Sequence, residues 1–245
     1  MGDRGVYKTR VSIAVDLLSR LLREHIVDRS LAAEMLRAAY EEHGLSPIMG
    51  ASTPPDIYDK ELATLYVVAR YGLGLDEEEP RWFQALFSRE IAYEEAAKLI
   101  EGGAPREEIE RVLGGRLDEN QVARILRVVT TKILLGYADE EELFRLLRRI
   151  PEVLPEYAQV ARKYARFYIA LRLAEAIATR RVRDRITKEA EKQALAARIG
   201  LEKIIPDDKY IALIAQRLFH QPKGRLSKIL KLEEHGRASP SQGAA

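Results

Sequence analysis

Apolar residues recur three and four positions apart over most of the chain and nowhere alternate convincingly, so the pattern predicts helices throughout. The longest case follows Pro155, a residue suited to a first helical turn because its missing N–H would have no partner there. No Gly or Pro occurs again until Gly200. In that run Tyr157, Val160, Ala161, Tyr164, Phe167, Tyr168, Leu171, Ala174 and Ala178 share one face, while Ile169, Leu173 and Ile177 share the opposite one. A helix apolar on two sides is covered on two sides, which predicts a long central helix near residues 156–182. A bend is expected over residues 183–187, with Thr187 capping a further helix over 188–199.

Two amphipathic helices, 7–26 and 29–43, open the chain and should pair antiparallel, the second capped by Asp28 and stopped by Gly44. A loop over 44–55 ends in Pro54-Pro55 before a helix over 56–71. After the acidic connector 76–79, shorter helices are expected at 81–87, 88–101, 105–113, 118–135 and 139–149. Asp118 with Gln121 and Asp139 with Glu142 have the spacing of capping boxes. Beyond the bend, helices over 207–219 and 225–232 precede a polar tail, 233–245, expected to be mobile. The fold class expected is all-α, about nine or ten helices around the central one. Residues 1–232 read as a single domain with an acidic part to 80, short hairpins to 150 and a basic remainder.

Composition narrows the functional classes. With no Cys there is neither a disulfide nor a thiolate metal site. No apolar run approaches the ~20 residues that span a bilayer, and the first residues lead into no secretory segment, so a cytoplasmic protein without membrane contact is expected. Asn occurs once, at Asn120, against abundant Arg and Glu, a bias of thermophile proteins. Net charge is only +2, yet residues 151–245 carry 19 Lys and Arg against 11 Asp and Glu. Such asymmetry points to a polyanionic partner or to neutralisation within the fold.

The catalytic inventory is thin. None of His25, His43, His220 and His235 has the Glu spacing of a zincin or di-iron helix, and there is no nucleophile elbow or P-loop. No cofactor is expected. Asp56/Asp59, Glu90/Glu94 and Glu77–Glu79 are paired carboxylates of the kind that hold Mg²⁺, although helix caps and solvated faces account for them better. Residues 94–114 have the outline of a helix-turn-helix, but Glu107 and Glu110 on the second helix would repel phosphates, which favours a plain hairpin.

The basic cluster is the stronger pattern. Arg180, Arg181, Arg183, Arg185, Lys188 and Lys192 lie close in sequence, and Lys223, Arg225 and Lys228 form a second group. Guanidinium forks match phosphate oxygens and give salt-sensitive, sequence-independent affinity. The competing expectation is a charged surface paired with acidic residues 76–79 or 139–142.

The run from Thr187 to Gly200, Thr-Lys-Glu-Ala-Glu-Lys-Gln-Ala-Leu-Ala-Ala-Arg-Ile-Gly, with Ile205-Pro206-Asp207-Asp208 after it, resembles uncharacterised crenarchaeal proteins, a family of unknown function. The resemblance covers the carboxy-terminal half, implies an archaeal source and an all-α fold, and lends no activity. The leading expectation is a non-enzymatic helical protein that binds RNA or DNA through the basic surface. Alternatives are a protein-interaction scaffold or oligomer and a hydrolase using metal-binding carboxylates from different helices.

Overall fold

The computed structural model describes residues 28–43, 62–75 and 81–232. Every regular element among the described residues is helical, so the fold is all-α as the spacing predicts. The chain divides into two compact units, residues 1–160 and 161–245. The expected helix 7–26, the loop 44–55, the start of the helix at 56, the acidic connector 76–79 and the tail 233–245 lie outside the described residues.

In the amino-terminal unit, α1 (Arg29–His43) is capped by Asp28, whose carboxylate accepts the Leu31 N–H at 2.8 Å. α2 is an α-helix over residues 62–67 that widens into a π turn at Val68–Gly72. α3 (Arg81–Gly102) kinks at Phe87, where φ −112° and ψ 19° leave the helical region, at the break expected between 81–87 and 88–101. Gly103, at φ 77°, turns the chain into α4 (Arg106–Leu113). α5 (Glu119–Leu134) opens with the expected capping box of Asp118 and Gln121, and α6 (Glu140–Val153) completes the set. α3 packs against α4, α5 and α6, and α5 packs on α6. Phe83, Phe87, Ile100, Ile109, Ile125, Leu126, Phe144 and Leu147 are fully buried between these faces. Each such side chain contributes about 2 kcal/mol of transfer free energy.

α6 differs from expectation at both ends. α6 continues through Pro151, because burial of Ile150 and Leu154 holds the last turn in place although the proline donates no hydrogen bond. At its start Asp139 accepts the Glu141 N–H and no reciprocal box forms, since the Glu142 carboxylate is drawn to Lys132 instead.

α7 (Ala158–Ala178) is the expected long helix. Val160, Ala161, Tyr168, Leu171 and Ala174 on one face and Ile169, Leu173 and Ile177 on the other are all buried. It ends at Arg180, whose φ of 63° is the left-handed conformation that closes helices. The carboxy-terminal unit then adds α8 (Arg185–Ile199), α9 (Asp208–Phe219) and α10 (Lys223–Ile229), with α10 packed on both α8 and α9. α8 starts three residues earlier than expected, and its cap is Asp184 rather than Thr187. The Asp184 carboxylate accepts the Thr187 N–H at 2.8 Å and the Thr187 hydroxyl as well. An extended Asp at φ −144° is the better acceptor, so Thr187 becomes the third residue of the helix. α10 spans Lys223–Ile229 rather than 225–232, with Pro222 setting its entry.

Candidate functional site

The cations singled out in the sequence separate into two groups. Lys188 and Lys192 stand four apart in α8 and continue as Leu195 and Ile199, so they occupy the buried stripe of that helix. Lys188 is 3% exposed, and its ammonium donates to both oxygens of Asp208, at 2.8 and 2.9 Å. Lys192 pairs with Glu189 at 2.8 Å. Burial raises the Asp208 pKa, but Lys188 and the Lys231 N–H reverse this and hold it below the usual carboxylate range. Lys192 and the Gln193 amide bring the Glu189 carboxyl down to about 2. Asp208 thereby ties α8, the first turn of α9 and the chain after α10 into one clamp.

The other cations reach the surface. Arg180 and Arg183, in the link after α7, and Arg225 and Lys228, on α10, line one open concavity of about 260 Å³ with Ile229 as its apolar wall. Arg225 is fixed by two hydrogen bonds, from Nη2 to the Ile177 carbonyl at 2.6 Å and from Nη1 to Gln221 Oε1 at 2.8 Å. Its charge sits at the end of α7 where unpaired carbonyls are negative. Arg183 donates through Nε to the Arg180 carbonyl at 2.9 Å, which leaves both terminal nitrogens directed elsewhere. All three anchoring acceptors are neutral oxygens, so the anchoring itself cancels neither charge. Within the carboxy-terminal unit no described carboxylate pairs with Arg180, Arg183, Arg225 or Lys228. Arg181, Arg185 and Lys223 are exposed nearby in sequence; Arg181 lies 3.9 Å from Glu175, at the outer edge of an ion pair.

The acidic groups weighed as counter-ions are engaged elsewhere or lie outside the described residues. Glu141 pairs with Arg148 and Glu142 with Lys132, while 76–79 are not described. The aromatics interleaved with Arg162, Lys163 and Arg166 offer no stacking platform: Tyr168 is fully buried, and Tyr164 meets Phe167 edge to face at 5.8 Å. On α4, Ile109 is fully buried and Arg106 pairs with Glu110 and Glu156, as suits a plain hairpin. Among the described residues no three His, Cys, Asp or Glu side chains group together as metal ligands. None of the helices there is long and apolar enough to cross a membrane.

One cluster went unnoticed in the sequence. In the amino-terminal unit Glu94, 3% exposed, accepts from the Tyr66 hydroxyl at 2.6 Å, from the Tyr71 hydroxyl and from the Lys132 ammonium at 3.0 Å. Lys132 also donates to Glu142 at 2.9 Å, and Arg70 reaches the Tyr66 oxygen at 2.8 Å. Burial pushes the Glu94 carboxyl up, but the two tyrosines and Lys132 outweigh it and hold it low. Burial and the bond to Glu94 push the Tyr71 phenol up to about 12. The π turn of α2 brings Tyr71 and Tyr66 to the same carboxylate. A signal existed: Glu90 and Glu94 fall on the stripe of Phe83, Leu86, Phe87 and Ala97, where a solvated carboxylate has no place. Glu94 faces Arg70 and Lys132, and Lys132 also faces Glu142, so the cluster clamps α2, α3, α5 and α6 together.

No curated protein and no solved structure matches the chain. The model of a family described as an uncharacterised protein conserved in archaea matches residues 4–230, a span that includes both the buried clamp and the cationic concavity. That match covers nearly the whole chain, and the protein belongs to this archaeal family, DUF2192.

Proposed function

We propose that this protein binds nucleic acid, RNA or DNA, through the cationic concavity of its carboxy-terminal unit and the exposed cations around it. The observation that carries the reading is the convergence of Arg180, Arg183, Arg225 and Lys228 on one open space with no carboxylate among its described lining residues. Cations of a merely solvated surface gain by pairing with acidic neighbours. Here two guanidinium groups are held by main-chain carbonyls and amide oxygen, which fixes their direction and keeps their charge. Preorganised, uncompensated forks are what phosphate oxygens require. The working set is therefore Arg180, Arg183, Arg225 and Lys228, with Arg181, Arg185 and Lys223 as a rim; Lys188 and Lys192 are spent on ion pairs within the fold.

The contact is to backbone phosphate rather than to base edges, because among the described residues no groove-reading helix and no exposed aromatic platform accompanies the cations. Binding should therefore be independent of sequence and steeply dependent on salt. The test is a fluorescence-anisotropy titration of labelled single strands of several sequences between 50 and 300 mM salt, with an expected loss of affinity on the order of a hundredfold for three to four neutralised phosphates. Absence of binding at the lowest salt, or an affinity indifferent to salt, would refute the proposal.

A further inference from the structure

On the nucleic-acid reading, the concavity differs in kind from its rim. A strand that runs along a protein presents singly charged phosphates in a row and is matched by cations in a row. Arg180, Arg183, Arg225 and Lys228 instead converge. The Ile177 carbonyl accepts from both the Arg180 N–H, at 3.2 Å, and Arg225 Nη2, at 2.6 Å, while the Arg180 carbonyl accepts from Arg183 Nε. Two main-chain oxygens thus tie three arginines together. Lys228 stands three residues beyond Arg225, on the same face of α10.

Four positive charges around one space overmatch a phosphodiester, which carries a single negative charge. A phosphomonoester carries about −1.5 to −2 near neutral pH and offers three terminal oxygens to the forks. The volume of about 260 Å³ is also below the roughly 300 Å³ at which sites begin to enclose whole drug-sized ligands. It suits a phosphate with part of its sugar and leaves the base outside. We infer that the concavity holds the terminal phosphomonoester of a nucleic-acid strand, whatever base carries it, while the rim follows the adjoining backbone. This inference rests on the nucleic-acid reading above.

The experiment compares the full chain's affinity for one oligonucleotide carrying a 5′-phosphate, a 3′-phosphate or hydroxyl groups at both ends, with inorganic phosphate and adenosine monophosphate as competitors. At least one phosphorylated end should bind about tenfold more tightly than the all-hydroxyl strand. Arg180→Gly and Lys228→Gln should each remove that preference while leaving residual rim binding. Adenosine monophosphate should displace only the end-dependent part. Equal affinity for all three strands overturns the end-binding inference while leaving the nucleic-acid reading in place. Binding of adenosine monophosphate without binding of any strand retains the phosphomonoester site and removes the nucleic-acid reading; binding of none of these removes both.

Discussion

Arg180 occupies a backbone conformation that glycine fills without cost, and the arginine there holds φ at 63° against a steric penalty of about 1 kcal/mol. Helix α7 would close as well with glycine, so the side chain is not needed for the turn. Arg180→Gly should leave the melting temperature unchanged or slightly raised and weaken oligonucleotide binding several-fold. Paired thermal melts and anisotropy titrations check it, and a variant that melts lower but binds normally would reverse the assignment. Glu94 behaves oppositely. Removing its charge leaves buried Lys132 with only the half-exposed Glu142 carboxylate and deprives two phenol donors of their charged acceptor, so Glu94→Gln should cost about 3 kcal/mol, on the order of 10 °C in melting temperature. Its carboxyl titrates lower in the folded chain than in the unfolded one. The stabilisation is therefore complete above the unfolded value near 4.5 and disappears as pH falls through the folded one. Melting curves across that range should show the gap between wild type and Glu94→Gln widest near neutrality and closing in acid.

At the level of elements, α8 shows how a cluster of charges in one stretch of sequence divides between structure and surface. Lys188 faces inward to Asp208, twenty residues on, whereas Arg185 one turn earlier is exposed. Lys188→Gln should lower stability by about 2 to 3 kcal/mol while leaving oligonucleotide affinity unchanged at temperatures where the variant stays folded. Lys228→Gln should do the reverse. Local signals were legible in advance. The cap at Asp118, the break near Phe87 and the two-sided burial of α7 all follow from residues within a few positions of one another. What was not legible depends on partners far along the chain. Thr187 has the hydroxyl of a cap, yet the extended backbone of Asp184 three residues earlier makes that carboxylate the acceptor. Lys188 and Lys192 looked like surface because Lys is seldom buried, although their four-residue spacing with Leu195 and Ile199 already placed them on the inner stripe. The Tyr66–Glu94–Lys132 clamp joins positions 28 and 38 residues apart, which no local pattern specifies.

For the molecule as a whole, the charge excess of the last third of the sequence resolves into something more specific than a basic surface. Part of it is consumed in ion pairs that hold α8 and α9 in place, and part converges on a single concavity fixed by main-chain carbonyls. Net charge alone would attract polyanions weakly and diffusely. Convergence adds direction, so most of the binding free energy should reside in few residues. The most direct measurement is the salt dependence of single-strand affinity for the wild type beside the double variant Arg180→Gly/Lys228→Gln, whose fold both substitutions should preserve. The double variant should bind at least about tenfold more weakly, with a log–log salt slope shallower by about 1. Identical affinity and slope in the two proteins would contradict it.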